Sequence, residues 1–331
     1  MIISTIGSHS ALQLLYGAKQ EKLKTKVYCL EGKEALYRRY PVAGEIITLS
    51  SYEDLLNLKP ERDEIFIPHG TLITALGEKI SEIPFKIFGN REGMIWEMQR
   101  KKNIKLLENA GIRTPKTFSP NEIKSLSIVK FPGAKGGAGY FLCSSSDEFE
   151  EKLSEILSSK TITEEDAKTT QIQEYITGVT MYPHYFHSLI YDRVEMLGID
   201  RRYETNADAL GRLSQNQTAI NPSYKVVGNQ PLIARESLLP QILDYGDRLI
   251  TASQKLFPPG LIGPFCIEMA ITPEEIVAFE FTSRIVAGTS LYISGSPYSK
   301  FLFGDEMSMA RRIARELKMA MGQKRLEEFL S

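Results

Sequence analysis

Short apolar runs alternate with helical patterns along the first ninety residues of the chain. Strand-like runs occur in MIISTIG, KVYCLEG, IITL and EIFIPHG, and apolar positions recur at helical spacing in SALQLLYGAKQEKL, EALYRR and YEDLLNL. Strands that alternate with helices are typical of a parallel sheet whose faces the helices cover. Ligands of such sheets bind beyond the carboxyl ends of the strands, which here means the turns that begin at Gly7 and Pro68.

The first of these turns, Gly7-Ser8-His9-Ser10, contains one glycine and does not match the G-x-G-x-x-G loop of dinucleotide-binding proteins. The backbone amide groups of a turn that enters a helix can hold a phosphate. Ser8 or Ser10 could instead do no more than cap the helix. The residues alone leave these two interpretations open.

The pattern changes after residues 94–111, where the sequence predicts one cationic amphipathic helix that ends at Gly111. Strand-like runs follow in SIVKF, GYFLC, TMYPHYFHSL, VEMLGID, FCIEMAI and IVAFEF, which indicates a mostly antiparallel second half. A cluster of Asn, Gly, Ser and Gln predicts a long mobile loop over residues 205–222. Further helices are predicted over residues 147–158, 236–256 and 305–330.

Composition narrows the classes of function. The 331 residues include 40 Lys and Arg against 41 Asp and Glu, so no basic field favours binding to nucleic acid. No apolar run approaches the ~18–20 residues that cross a bilayer, and the first residues lack a basic segment followed by an apolar one. We therefore expect a cytoplasmic protein with no membrane partner.

The cysteines and two of the histidines do not predict a metal site. Cys29, Cys143 and Cys266 are far apart and lack CxxC spacing, so we expect each to be a small buried apolar residue. His184 and His187 stand three positions apart in a strand-like run, which places them on opposite faces. Chelation by this pair is therefore not expected.

A glycine-rich loop runs from Lys130 to Tyr140 with the sequence KFPGAKGGAGY. Its four glycines let backbone amides approach an anion closely, and Lys130 and Lys135 add positive charge. The loop is not a Walker A motif, because no G-K-[ST] follows and the glycines lead into a strand. We interpret it as a flap over phosphates; the alternative is a flexible hairpin with incidental lysines.

Two glutamates interrupt apolar strands that are joined by a short turn, Glu268 in FCIEMAI and Glu280 in IVAFEF. Burying an unpaired carboxylate costs several kcal/mol, so the pair requires a cation. A five-residue loop, 272–276, places the two side chains opposite each other, whereas a four-residue loop separates them onto opposite faces. We therefore expect the longer loop and a Mg²⁺ site; the alternative is a solvated edge strand.

The order of these motifs resembles the ATP-grasp superfamily. Within it, FPGAKGGAGYF, IQEYITGV, YPHYFHS, LGIDRRYE, RESLLP, PPGLIGPFCIE and FEFTSRIVAGTS are similar to the archaeal family of formate-dependent 5-formaminoimidazole-4-carboxamide ribonucleotide synthetases. The similarity covers nearly the whole chain. It implies an α/β and α+β protein with an ATP-grasp fold: a Rossmann-like domain over residues 1–93, a subdomain with the flap over 94–180, and a C-terminal subdomain with the metal site over 181–331.

The resemblance also implies an activity in purine biosynthesis. The family's carbon–nitrogen ligases join formate to the amine of 5-aminoimidazole-4-carboxamide ribonucleotide (AICAR) through formyl phosphate and convert ATP to ADP and phosphate. Two alternatives stay open, a diverged relative with another carboxylate or amine substrate and a noncatalytic nucleotide-binding regulator.

The chain departs from the family's pattern at two positions. Ala138 replaces a cationic residue that is frequent in the flap, and Thr71 stands where serine is expected. Besides the small-molecule substrates, we expect a second copy of the chain as a partner, with residues 290–303 as the apolar interface.

Matching the family's motifs assigns roles to individual residues. Arg284 is expected to contact the transferring phosphoryl group or formate, as a planar cation beside the metal. Glu268 and Glu280 are expected to hold Mg²⁺, with Mn²⁺ as the other candidate ion. The expected ligands of ATP are Arg100, Lys130, Lys135, Gly136, Gly137, Glu174, Tyr175 and Glu204, and those of AICAR are His9, Thr71 and Asn229.

Overall fold

The computed structural model describes residues 1–131, 140–159, 162–205 and 225–331. The amino-terminal part forms the expected parallel sheet with helices on its faces. Its strands are β1 (Ile2–Ile6), β2 (Lys24–Leu30), β3 (Glu45–Leu49), β4 (Glu64–Phe66) and β5 (Lys86–Ile87), in the spatial order β3-β2-β1-β4-β5. Its helices are α1 (Ala11–Gln20), α2 (Glu34–Arg39) and α3 (Gly70–Leu76), with 3-10 turns over Tyr52–Asn57 and Gly77–Glu82.

The single helix expected over residues 94–111 is wrong. The structure has two helices, α4 (Arg91–Met98) and α5 (Arg100–Asn109), separated by Gln99 in an extended conformation. The sequence has no glycine or proline there to signal the break. Asn103 stabilises it, because its side-chain amide donates to the carbonyl of Glu97, an acceptor that a continuous helix would use itself. Gly111 follows with φ of +64°, as its place after a helix requires.

A four-stranded antiparallel sheet follows, in the spatial order β6-β9-β7-β8. Its strands are β6 (Thr117–Phe118), β7 (Ser127–Lys130), β8 (Tyr140–Cys143) and β9 (Gln171–Glu174), with α6 (Ser146–Ser158), α7 (Glu164–Lys168) and a 3-10 turn over Pro120–Glu122. Strands β7 and β8 pair directly, with Lys130 opposite Tyr140. The glycine loop between them lies outside the described residues.

The third sheet is antiparallel, in the order β12-β11-β10-β13-β14. Strand β12 was not expected, because its sequence VVGNQP lacks the alternation of a strand. The strands of this sheet are β10 (Val179–Ser188), β11 (Arg193–Glu204), β12 (Val226–Pro231), β13 (Gly263–Ile271) and β14 (Ile276–Thr282). Its helices are α8 (Leu239–Leu256), α9 (Pro297–Phe303) and α10 (Met309–Gly322), with 3-10 turns over Glu236–Leu238, Ala287–Tyr292 and Leu326–Phe329.

The last helix returns to the first domain. Helix α10 packs on α1, and Gly17 permits the close approach, because a Cβ there would collide with the backbone of Ala310 and Arg311. Beyond α10 the backbone of Ser331 exchanges two hydrogen bonds with that of Ile87 on β5. The first and third parts of the chain thus share a core.

The three cysteines are buried, as expected. His184 and His187 contact different partners, the carboxylate of Asp200 and the carbonyl of Leu261. None of the helices in the described part of the chain combines the length and the hydropathy that a bilayer crossing requires.

Candidate active site

The hairpin of β13 and β14 places Glu268 directly opposite Glu280. The pairing arises differently from the expectation. Ile271 pairs with Ile276, so the loop has four residues and the five-residue loop is wrong. A β-bulge at Phe279 adds one residue to β14, because Met269 pairs with Ala278 whereas the preceding Glu268 pairs with Glu280. The bulge restores the face-to-face pair that the short loop alone would have separated.

The electrostatics of this pair favour a cation. Burial raises the pKa of Glu280, and the adjacent Glu268 carboxylate raises it further, against the opposing effect of Lys130 and Arg100. Burial also lowers the pKa of Lys130, whose ammonium nitrogen lies 5.9 Å from the centre of the Phe279 ring. Both pKa shifts have the same cause, because burial away from water disfavours the charged form of each side chain. A divalent cation and phosphate oxygens would offset that cost.

Arg202 fixes the second carboxylate. Its guanidinium donates to both oxygens of Glu268, at 2.9 and 2.7 Å, and stacks over the ring of Tyr182 at 3.8 Å. Burial opposes the charge on Arg202, but Glu268 outweighs it and raises the pKa of the guanidinium. The two charge-assisted hydrogen bonds therefore orient the carboxylate of Glu268.

A pocket in front of these groups joins the second and third parts of the chain. Arg100, at the start of α5, donates to the carbonyl of Phe131 at 3.1 Å. Gln173 on β9 is buried, yet neither its side-chain oxygen nor its nitrogen has a hydrogen-bond partner. Unpartnered buried amides are rare and mark a place where a ligand can bind. The pocket is lined by Glu97, Arg100, Asn103, Ile104, Lys130, Gln171, Gln173, Phe279 and Glu280.

Arg284 lies just beyond β14, between the pocket and the parallel sheet. Its guanidinium forms an ion pair of 2.8 Å with Glu97, and its Nε is buried without a partner. The other carboxylate oxygen of Glu97 accepts from the backbone and the hydroxyl of Ser283. A Cβ on Gly70 would lie 3.1 Å from His9 Nε2 and 3.3 Å from Arg284 Cζ, so Arg284 also faces the end of the parallel sheet.

The two turns at the carboxyl end of that sheet meet. Thr71 donates its hydroxyl to that of Ser8 at 2.7 Å, and His9 forms a 2.8 Å hydrogen bond with Ser10. The hydroxyl of Ser10 makes no capping hydrogen bond at the start of α1, so the simple cap by this residue is not observed. Burial, together with the positive charges of Arg284 and Arg202, lowers the pKa of His9 to about 4. The imidazole is therefore neutral at physiological pH.

The remaining expected ligands are distributed over the cleft. Asn229 on β12 donates its amide to Asp200 at 2.7 Å. Glu174 accepts from Arg113 and from the backbone of Lys116, so its carboxylate does not line the pocket around Lys130.

Glu204 and Tyr175 lie near the hydroxyl of Tyr140 at the start of β8. Burial raises the pKa of Tyr140, and the charge of Glu204 adds to the effect, followed by Tyr175 and Glu280. These groups thus lie within electrostatic range of one another. Lys135, Gly136 and Gly137, together with the long loop expected over residues 205–222 except for Thr205, fall outside the described residues.

Several residues of the cleft were not found from the sequence. Arg202 and Glu97 hold Glu268 and Arg284 in place, but each gives no local signal, since an arginine or glutamate in an amphipathic segment is usually solvated. Gln173 stands in the motif Q-E-Y, in which the family resemblance assigns roles to Glu174 and Tyr175 alone. Strand alternation could have found Gln173, because β9 must turn alternate residues towards the pocket.

The residues present fit a Mg²⁺ ion. Glu268 and Glu280 supply hard oxygen ligands, and each oxygen of Glu268 keeps a free lone pair beyond its bond to Arg202. Within the described part of the chain, no group of three or more His, Cys, Asp or Glu side chains converges on a point. Two carboxylates suit Mg²⁺, because this ion is commonly bound by one or two carboxylates and by substrate phosphates.

Comparison with solved structures first defines the class of protein. An N5-carboxyaminoimidazole ribonucleotide synthetase in complex with ADP has 14% sequence identity to the chain and a TM-score of 0.67 over 95% of the chain and 76% of its own length. The order of the sheets and this likeness define an ATP-grasp fold, as expected. The crystal structure of an IMP biosynthesis protein PurP from Thermococcus kodakaraensis is more similar, with 32% identity and a TM-score of 0.81 over 99% of the chain and 100% of that structure.

Sequence comparison then identifies the family. A 5-formaminoimidazole-4-carboxamide-1-(beta)-D-ribofuranosyl 5′-monophosphate synthetase from Methanothermobacter thermautotrophicus is 45% identical over 99% of the chain and 94% of its own length. Two family models of unknown function, DUF1246 and DUF1297, match residues 3–118 and 148–331. The chain belongs to the family of 5-formaminoimidazole-4-carboxamide-1-(beta)-D-ribofuranosyl 5′-monophosphate synthetases.

Proposed function

We propose that the protein is an ATP- and formate-dependent ligase that converts AICAR to its 5-formamido derivative in the synthesis of IMP. The observation that carries the proposal is the buried pair of Glu268 and Glu280, which faces Lys130 across the pocket. The names of the relatives support the substrate. The cytoplasmic location, the self-association through residues 290–303 and the three domain boundaries stay predictions.

The reaction requires two displacements. A formate oxygen attacks the γ-phosphorus of ATP, the bond to the β,γ-bridging oxygen breaks, and ADP leaves. The AICAR amine then attacks the carbonyl carbon of formyl phosphate; phosphate leaves and the nitrogen loses a proton. Little covalent help is required from side chains, so catalysis rests on positioning and on stabilisation of charge.

The residues of the cleft fit these tasks. Glu268 and Glu280 would hold Mg²⁺, which offsets charge on the phosphates when bound. Lys130 and Arg100 lie where they can stabilise phosphate oxygens, and both approach Glu280 closely enough to affect its pKa. Arg284, oriented by Glu97, is placed to meet the formate or the phosphoryl group, because it lies between this pocket and His9.

The closing of the site is assigned to the glycine flap, including Lys135, Gly136 and Gly137. A closed flap would exclude water from formyl phosphate, an acyl phosphate that water hydrolyses. Glu204, at the end of β11, is assigned to the ribose of ATP. The backbone beside Glu174 and Tyr175 is assigned to the adenine, because the carboxylate of Glu174 is engaged by Arg113.

The test is release of ADP from Mg-ATP, formate and AICAR, with each component omitted in turn and the product identified by mass. We expect a formylated product that requires all three substrates. ADP without formyl transfer would indicate a diverged relative with another substrate. Binding of ATP without hydrolysis would indicate a regulator.

The substitution Glu280→Gln tests the proposed metal site without changing the rest of the fold. We expect the variant to lose at least about a hundredfold of the ATP turnover while its circular dichroism stays unchanged. Glu274→Gln in the exposed turn of the same hairpin is the matched control and should retain activity. Unchanged turnover in Glu280→Gln would contradict the assignment of the metal site.

A further inference from the structure

A buried carboxylate on β11 holds the side chain of Asn229. Asp200 is only 1% exposed, and its two oxygens have different partners. One lies 2.6 Å from Nε2 of His184 on β10, and the other accepts from the side-chain nitrogen of Asn229 at 2.7 Å. The three side chains form a chain of hydrogen bonds that runs from the middle of the sheet to its edge strand β12.

The neighbouring segment leaves Asp200 little freedom. A Cβ on Gly288 would overlap the carboxylate, so the 3-10 turn over Ala287–Tyr292 packs directly on it. Gly198 makes similar room, since a Cβ there would lie 3.4 Å from Nδ1 of His184 and would collide with the ring of Tyr292. The backbone of two elements thus encloses the Asp200–His184 pair, which makes it a rigid support.

The Asp200–His184 pair determines which side-chain atom of Asn229 is available to a ligand. The atom of Asn229 that faces Asp200 is the side-chain nitrogen, which donates to a carboxylate oxygen. The carbonyl oxygen of Asn229 is therefore turned away from Asp200. A ligand group that meets this oxygen must donate a hydrogen bond, and a group that can only accept is repelled.

We propose that Asp200, held by His184, is a positioning residue that makes Asn229 select a carboxamide over a carboxylate in the imidazole substrate. This inference rests on the proposed function, in which Asn229 binds AICAR. The carboxamide of AICAR offers an N–H donor to Asn229, whereas the 4-carboxylate analogue presents only acceptor oxygens there.

The 4-carboxylate analogue keeps the reacting amine and differs from AICAR only in the group on C4. Both the amine and the carboxamide can donate a hydrogen bond, so a comparison of these two ligands isolates the contribution of the carboxamide.

The experiment measures kcat and KM for AICAR and for the 4-carboxylate analogue in the wild-type protein and in Asp200→Asn. An asparagine at this position can donate as well as accept, which lets the amide of Asn229 rotate. We expect the KM for AICAR to rise about tenfold, the preference for AICAR over the carboxylate to fall about tenfold, and the KM for ATP to stay unchanged. Asp192→Asn, in the exposed turn before β11, is the matched control.

A folded Asp200→Asn protein with an unchanged preference would overturn the inference, since a merely structural role would affect both ligands equally. If this variant fails to fold, His184→Leu and His184→Gln decide the matter. Glutamine retains a donor to Asp200 and should restore the preference, whereas leucine should reduce it. Equal preferences in the two variants would overturn the inference.

Failure of the proposed function is recognised separately. Wild-type protein that binds AICAR without turnover would contradict the proposed ligase, and the ratio of the two ligands' affinities in calorimetry would then test Asp200 in the same variants. Wild-type protein that binds neither ligand would overturn both.

Discussion

At the scale of single residues, the buried pair of Glu268 and Glu280 depends on Arg202 for charge compensation. This guanidinium donates to both oxygens of Glu268, and the pair is largely buried. Removing one partner of a buried ion pair leaves the other charge without compensation. The positive charge of Arg202 therefore allows two adjacent carboxylates to be buried in the absence of a bound cation.

Arg202→Met is expected to lower the free energy of unfolding of the metal-free protein by about 3 kcal/mol. Saturating Mg²⁺ should recover part of that loss, because the ion replaces the missing positive charge. Urea unfolding with and without Mg²⁺ measures both effects, and Arg201→Met on the opposite face of β11 is the control. An equal loss in both variants would contradict the role of Arg202.

Gln173 differs from Arg202, because no group in the described part of the chain forms a hydrogen bond with its buried side-chain amide, although it lines the pocket. A ligand in the pocket would supply those hydrogen bonds. We expect Gln173→Met to leave the melting temperature of the ligand-free protein equal or higher, because an unsatisfied polar group is replaced by an apolar one of similar size. The KM for ATP should rise. A thermal melt and a steady-state assay test the two halves, and a lower melting temperature would contradict this account.

At the scale of elements, Asn103 of α5 completes the free edge of β14. Its amide donates to the carbonyl of Phe281 at 2.9 Å and accepts from the backbone N–H of the same residue at 3.0 Å. One side chain thus replaces a neighbouring strand. Because Phe281 follows Glu280, this contact also constrains the position of the Glu280 backbone.

Asn103→Ala is expected to lower the free energy of unfolding by about 2–4 kcal/mol, since it leaves a buried N–H and a buried carbonyl without partners. Asn109→Ala in the same helix is the control, because Asn109 is exposed and bonds within its own helix. Chemical denaturation of the two variants gives the comparison. Similar losses in both would show that Asn103 acts as an ordinary helical residue.

The helices and strands also show which features of the fold can be predicted from the sequence. Short apolar runs that alternate with helical patterns predicted the parallel sheet, and strand-like runs predicted most of the later strands. The pairing of Glu268 with Glu280 was predicted, but the loop was wrong by one residue, and the bulge at Phe279 compensates. A bulge depends on contacts across the sheet and has no signal within its own strand. The same applies to the break at Gln99, which Asn103 stabilises through its side chain.

At the scale of the whole molecule, stability should depend on pH through His69. This residue is fully buried where β4 meets α3, with its ring bonded to the carbonyl of Ile6. Burial, and then the nearby His9, lower its pKa to about 3. The unfolded chain binds the proton near pH 6.5, so between pH 6.5 and 3 the unfolded state holds more protons than the folded state.

Stability should therefore fall as the pH falls below 6.5, by up to about 1.4 kcal/mol per pH unit for this histidine. His69→Asn should show a shallower decline over the same range, whatever its stability at pH 7. Urea unfolding at a series of pH values measures the slope. Identical slopes for the wild type and the variant would exclude His69 as the source.

The packing of α10 on α1 links the order of synthesis to the order of folding. Arg311 on α10 bonds to Glu21, at the end of α1, across 290 residues of sequence. A ribosome that adds ~5–20 residues per second needs about 15–60 s to cover that interval. Until then α1 lacks the part of its apolar core that α10 supplies, including Ile313 and Leu317. The first domain to be synthesised therefore receives its last packing partner only after α10 has been made.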